Sequence, residues 1–128
     1  MKKITQFIIF IFLGLILSIF QSSAENKIKI GLVVPLTGEY KNIGHSILKS
    51  TRLAINKIDN NRIEIIPRDS KFNPETTLKV SKKLYEQGVT IIIGPVFNKN
   101  LIYLEELEEV TFLSLSNTNI NNPKNVIS

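Results

Sequence analysis

The sequence predicts an α/β fold: an open parallel sheet with helices on both faces. Two observations carry that expectation. Short apolar runs alternate with stretches of helical periodicity, in units of roughly 25 residues. The first run, residues 28–36, is apolar almost throughout once past Lys29, as in a parallel strand covered on both faces. Strand–helix alternation with short links then requires right-handed crossovers.

Residues 27–44, KIKIGLVVPLTGEYKNIG, read as a buried strand, a turn and the start of a helix. Pro35 has no N–H to give a ladder and marks the end of pairing. Thr37 and Gly38 turn the chain, and Asn42 is the expected N-cap of the first helix. Ile47, Thr51, Ala54, Ile55 and Ile58 share one face of that helix, while Lys49, Arg52, Asn56 and Lys57 point elsewhere. Asp59, Asn60 and Asn61 stop it. Residues 63–66 form the second strand, ended by Pro67, with Glu64 marking it as less covered than the first.

A polar loop over residues 68–72 leads to Asn73-Pro74-Glu75. These supply a cap, a proline at the first helical position and an acid in the first turn. Thr77, Val80 and Leu84 face inward, and Gly88 ends the helix. Residues 89–93 are the third strand, closed by Gly94-Pro95. Phe97, Leu101, Leu104 and Leu107 mark a third helix whose outer face carries Glu105, Glu106, Glu108 and Glu109. Residues 110–115 are a fourth strand, 116–123 a polar loop, and 125–128 the start of a fifth strand. A further unit begins where the sequence stops, which reads as a fragment of a longer chain.

Residues 1–24 read as a secretory signal peptide. Lys2 and Lys3 precede an apolar run over residues 4–20, and Ser22-Ser23-Ala24 places small residues where a signal peptidase reads. Cleavage falls after Ala24 and exports the remainder to the periplasm, with residues 25–128 as one domain. An uncleaved anchor is the alternative, since the run is near the lower limit for spanning. Cleavage removes two lysines from a net charge of +5, and what remains is too scattered to argue for nucleic acid. There is no cysteine, which excludes disulfides, thiolate metal sites and a lipid anchor on an N-terminal Cys.

Chemistry is expected where three loops meet at the carboxyl edge of the sheet: residues 35–44, 94–100 and 114–119. They are rich in Thr, Ser, Asn and Gly. Free N–H groups, short hydroxyls and helix N-termini can hold a carboxylate there, although such residues also serve simply as turns and caps. Tyr40 can stack on a ligand or pack within its loop. Catalysis and nucleotide binding find no support: G-x-G-x-x-G, Walker-type and G-x-S-x-G patterns are absent. His45, the one histidine, sits among charged positions of the first helix. Asp69 stands at the end of the second strand region, as a receiver acid does, but the acid pair after the first strand is replaced by Pro35-Leu36-Thr37. The Glu105–Glu109 cluster reads as a solvated face rather than a metal site. No enzyme, metal or cofactor is expected.

IKIGLVVPLTGEYKNIGHSILKSTRLAINKI resembles the opening of periplasmic binding proteins of the leucine/isoleucine/valine type, and DSKFNP, GVTIIIGPVFNKN and VTFLSLSNTN resemble their later blocks. The similarity spans the chain beyond the signal but about the first third of a family member. It implies the first lobe of a two-lobed clamshell that delivers an amino acid or similar small polar solute to an inner-membrane ABC permease, the second lobe lying outside this chain. In that family the loop after the third strand offers Ser hydroxyls to the ligand carboxylate; Asn98 stands at the matching place, followed by Lys99. The loop after the fourth strand holds the ammonium and carboxylate, and Ser116, Asn117 and Thr118 match it. The GPVFNKN loop is equally similar to a second branch, the activators of penicillin-binding proteins, which act by protein–protein contact. The missing anchor cysteine speaks against an activator of the lipid-anchored type.

Overall fold

The computed structural model describes residues 27–117 and 122–128; the expected signal peptide lies outside them. Five parallel strands form one sheet in the order β2-β1-β3-β4-β5: β1 Ile28–Val34, β2 Ile63–Asp69, β3 Ile91–Ile93, β4 Thr111–Leu113 and β5 Val126–Ile127. Helix α1 spans Lys41–Ile58 and α2 spans Pro74–Glu86. The step from β1 to β2 and the step from β2 back past β1 to β3 run in opposite directions. Right-handed crossovers therefore put α1 and α2 on opposite faces of the sheet.

The core lies on the α2 face. One register row crosses the sheet there: Ile66, Gly31, Ile92, Phe112 and Val126. Phe112 and Ile92 are fully buried and pack with Leu84 of α2, Val89, Leu101 and Leu104. Gly31 is the small member of this row because Leu84 sits over it: a Cβ there would stand 2.8 Å from the Leu84 Cδ1. The next row faces the other way and reads Pro67, Leu32, Ile93, Leu113 and Ile127. Its exposure rises away from α1, from 0% at Leu32 to 37% at Leu113 and 58% at Ile127. Helix α1 covers the β1–β2 side of that face, and the β4–β5 side is open.

The capping expected for α2 is present. The Asn73 side chain accepts the Thr76 N–H at 2.7 Å, Pro74 takes the first helical position, and Gly88 follows the helix at φ 83°. Asp59 ends α1 in the left-handed region, its N–H reaching the Ile55 carbonyl.

Four local expectations are corrected. Helix α1 starts at Lys41 rather than Asn42, with Tyr40 as N-cap residue and no side-chain cap; the Tyr40 carbonyl accepts the N–H groups of Ile43 and Gly44. Ala54 and Ile58 of the expected inward face are exposed, because α1 lies over only part of the sheet. Strand β2 runs through Pro67 to Asp69; it is the edge strand, so a residue without an N–H is tolerated where nothing pairs on its outer side. The expected third helix is two short 3₁₀ turns, Asn98–Leu101 and Leu104–Glu106. The buried residues Leu101, Leu104, Leu107 and Val110 recur every third position, which is the 3₁₀ repeat and not the α repeat.

Candidate functional site

The connections leaving β1, β2 and β3 each bring one aromatic ring to the carboxyl edge of the sheet. Tyr40, Phe72 and Phe97 form a triangle with centroid separations of 4.1 Å (Tyr40–Phe72), 4.9 Å (Tyr40–Phe97) and 4.6 Å (Phe72–Phe97). Their planes are tilted or edge-on to one another, the arrangement that ring quadrupoles favour. All three rings are half-buried. The Lys99 ammonium stands 3.2 Å from the Phe72 centroid, a cation on a ring face, and Lys99 itself is exposed.

Asp69 at the end of β2 fixes the first two loops. Its carboxylate accepts the Leu36 N–H at 2.8 Å, the Thr37 hydroxyl at 2.5 Å and the Lys71 N–H at 2.9 Å. Burial opposes its ionisation, but the Thr37 hydroxyl and the N–H groups of Lys71, Leu36 and Thr37 outweigh that and hold the carboxyl below its ordinary range. Beyond it, Lys71 and Phe72 both have positive φ, 51° and 55°. The Ser70 N–H reaches the Val34 carbonyl at 3.0 Å, and the Asn73 N–H reaches the Ser70 carbonyl. These bonds hold the loop in the turn that delivers Phe72 to the triangle.

The loop after β4 is tied to the loop after β3. The Leu115 N–H donates to the Pro95 carbonyl at 3.0 Å, and the Gly94 N–H donates to the Leu113 carbonyl at 2.8 Å. Gly94 is required there: φ is 108°, and a Cβ would stand 2.2 Å from the Val33 carbonyl oxygen. Gly94-Pro95 is a cis peptide.

Of the expected site residues, Tyr40 lies in the ring triangle. Asn98 opens the first 3₁₀ turn beside Phe97 and is half-buried. Ser116 is half-buried, its N–H bonded to the Ser114 hydroxyl at 3.0 Å, and Asn117 is exposed. Thr118 lies outside the described residues. The Tyr40–Phe97 contact joins the loops after β1 and β3, and the Leu115–Pro95 bond joins those after β3 and β4. Sequence reasoning missed the parts played by Phe72 and Phe97. Phe97 was expected to face inward from a helix, and the available signal for Phe72 was one aromatic residue in an otherwise polar loop.

An open depression of about 550 Å³ adjoins this edge, lined by Asn98, Lys99, Leu101 and Glu105 with Asn122 and Lys124. A groove of about 520 Å³ lies elsewhere, between the outer side of α2 and the 3₁₀ turns, where Lys82 and Glu106 pair at 2.7 Å. The edge presents loop amides, hydroxyls and a cation beside aromatic faces, groups that can hold a small anionic or polar molecule; the groove carries Lys79, Lys82 and Lys83 among Glu75, Glu86 and Glu106. His45 is exposed on α1, and among the described residues no helix is long and apolar enough to cross a membrane.

Residues 27–124 match the family described as periplasmic binding protein. An uncharacterized protein of Methanocaldococcus jannaschii is 26% identical over 107 residues, which are 75% of this chain and 26% of that protein. Among solved structures, a solute-binding protein of an ABC transporter from Rhodopseudomonas palustris, in complex with 3,4-dihydroxybenzoic acid, is similar at a TM-score of 0.69 and 25% identity. The match covers 74% of this chain and 29% of that one. The leucine-binding protein LivK of Thermotoga maritima matches at 0.69 and 17% identity, over 77% of this chain and 31% of that one. LpoA of Haemophilus influenzae matches at 0.61 and 22% identity, over 73% and 17%. The chain thus spans less than a third of the length of each of these proteins, and its sheet corresponds to the first lobe of a type 1 periplasmic-binding fold.

Proposed function

This chain belongs to the periplasmic binding protein family, and from that premise we propose that it is the first lobe of a secreted solute-binding protein. It captures an amino acid or similar small polar solute in the periplasm, performs no catalysis, and serves an inner-membrane ABC permease. The observation that carries this reading is the junction of the loops after β1, β3 and β4 at one edge, through Tyr40–Phe97 and Leu115–Pro95. Tyr40, Asn98, Ser116, Asn117 and Thr118 are the proposed contacts, acting through loop N–H groups, hydroxyls and amides. Residues 1–24 are proposed as the export signal.

Single-lobe binding is expected to be weak. A second lobe closing on this edge excludes water and strengthens each polar contact, and neighbours of which the match covers only 29% and 31% have the chain to supply one. Calorimetric titration of the chain against an amino acid panel tests this. Millimolar binding is the expected result; micromolar binding contradicts the need for a second lobe, and no binding at any concentration contradicts capture of an amino acid.

A second reading is favoured by the similarity to LpoA together with the GPVFNKN loop: a regulatory domain that contacts a penicillin-binding protein. Pull-down with purified penicillin-binding proteins separates the two. Specific retention supports the regulatory role, and its absence alongside solute binding supports capture.

A further inference from the structure

We propose that the triangle of Tyr40, Phe72 and Phe97, with the Lys99 ammonium upon it, selects a planar aromatic carboxylate of the benzoate class. The inference rests on the solute-capture reading and narrows its ligand.

Topology makes the triangle. Its members are 32 and 25 positions apart in sequence, and each comes from a different loop at the edge where the site is proposed. Holding Phe72 there uses two consecutive non-glycine residues at positive φ, a conformation that costs of order 1 kcal/mol or more per residue and persists where surrounding bonds over-determine it. Those bonds are the Asp69 and Ser70 contacts to this turn. The rings stay half-buried rather than sealed, so apolar π-surface remains at the rim. A ligand ring adds to it in the same tilted or edge-on geometry the three already use.

Charge selects among aromatic ligands and against amino acids. Among the described residues the one ion pair is Lys82–Glu106, so Lys99 meets a ring face and no carboxylate. A carboxylate held by the ligand ring reaches that ammonium in a charge-assisted bond. An amino acid would bring its own ammonium to the same place. Of the nearby acids, Asp69 has its oxygens bonded to Leu36, Thr37 and Lys71, while Glu39 and Glu105 are solvent-exposed, where an ion pair with a ligand ammonium is worth little. A benzoate carries the carboxylate without the second cation. The Rhodopseudomonas palustris neighbour, whose solved complex holds 3,4-dihydroxybenzoic acid, is consistent with that chemistry.

The test is ligand-observed NMR titration of the full chain with 4-hydroxybenzoate, benzamide and leucine, each to about 20 mM, because single-lobe affinity is millimolar. The expected result is 4-hydroxybenzoate binding about tenfold tighter than leucine. Lys99→Gln should weaken 4-hydroxybenzoate about tenfold and leave benzamide within about twofold, with Lys99→Arg restoring the carboxylate ligand. Phe97→Leu should weaken both aromatic ligands; if that variant loses its fold by circular dichroism, Tyr40→Leu replaces it. Leucine binding tighter than 4-hydroxybenzoate, or Lys99→Gln without effect, overturns the aromatic assignment and leaves solute capture standing. No binding of any of the three overturns capture by this lobe, and the aromatic assignment with it.

Discussion

The Asp69 carboxylate accepts the Thr37 hydroxyl at 2.5 Å across the tops of two neighbouring strands. The same group takes the Leu36 N–H, so the end of β2 holds the turn after β1 and, through it, the start of α1 that carries Tyr40. Asp69→Asn keeps the shape but removes one acceptor, and should destabilise the chain by about 1–3 kcal/mol in urea unfolding.

The same residue sets an acid limb. Its carboxyl is held below the ordinary range in the folded state, so the stabilisation is fully present above that range. It is lost as pH falls through the lowered folded value. Unfolding midpoints measured between about pH 6 and pH 2.5 should therefore fall for the wild type more than for Asp69→Asn. Parallel curves would remove Asp69 as the source.

Asn73 caps α2 through one bond, Asn73 Oδ1 to the Thr76 N–H. Asn73→Ala should cost about 1 kcal/mol and Asn73→Ser much less, read from chemical denaturation.

Gly44 lies in the first turn of α1 against the end of β1. A Cβ there would stand 1.8 Å from the Pro35 carbonyl oxygen, a backbone atom with no room to yield. Gly44→Ala should cost more than about 2 kcal/mol. Gly88→Ala meets open space and strains only its φ of 83°, so it should cost about 1 kcal/mol. Equal losses would contradict the close approach of α1 to Pro35.

Phe112 and Leu113 are neighbours in β4 and face opposite ways. Phe112 is fully buried in the core; Leu113 is 37% exposed on the side that α1 does not reach. Phe112→Ala should cost about 3–5 kcal/mol. Leu113→Lys should change stability far less and should lower binding of a hydrophobic dye, since Ile91, Leu113 and Ile127 expose apolar surface together.

The sheet was legible because strand identity is written locally. An apolar run such as residues 28–36 has one reading when Pro35 ends it, and Asn73-Pro74-Glu75 announces a helix in three letters. The stretch 97–107 misled because Leu101, Leu104 and Leu107 also satisfy part of a helical face; only the further step to Val110 favours a period of three. Strand β2 passed through Pro67 because edge position depends on strand order, which no single segment encodes. The candidate site was half legible. That loops would meet at the carboxyl edge follows from parallel strands. That Phe72 would touch Tyr40 and Phe97 follows from where Asp69 and Ser70 bend the chain, a tertiary arrangement with no local signature.

The central claim is that a small solute is captured at the edge where the loops after β1, β3 and β4 meet. Amide chemical-shift mapping of the chain during titration with 4-hydroxybenzoate and with leucine tests it most directly. The account predicts shifts concentrated in residues 36–44, 71–73, 94–100 and 114–117. Shifts confined to the groove beside α2, around Lys79, Lys82 and Tyr103, or no shifts at all, would contradict it.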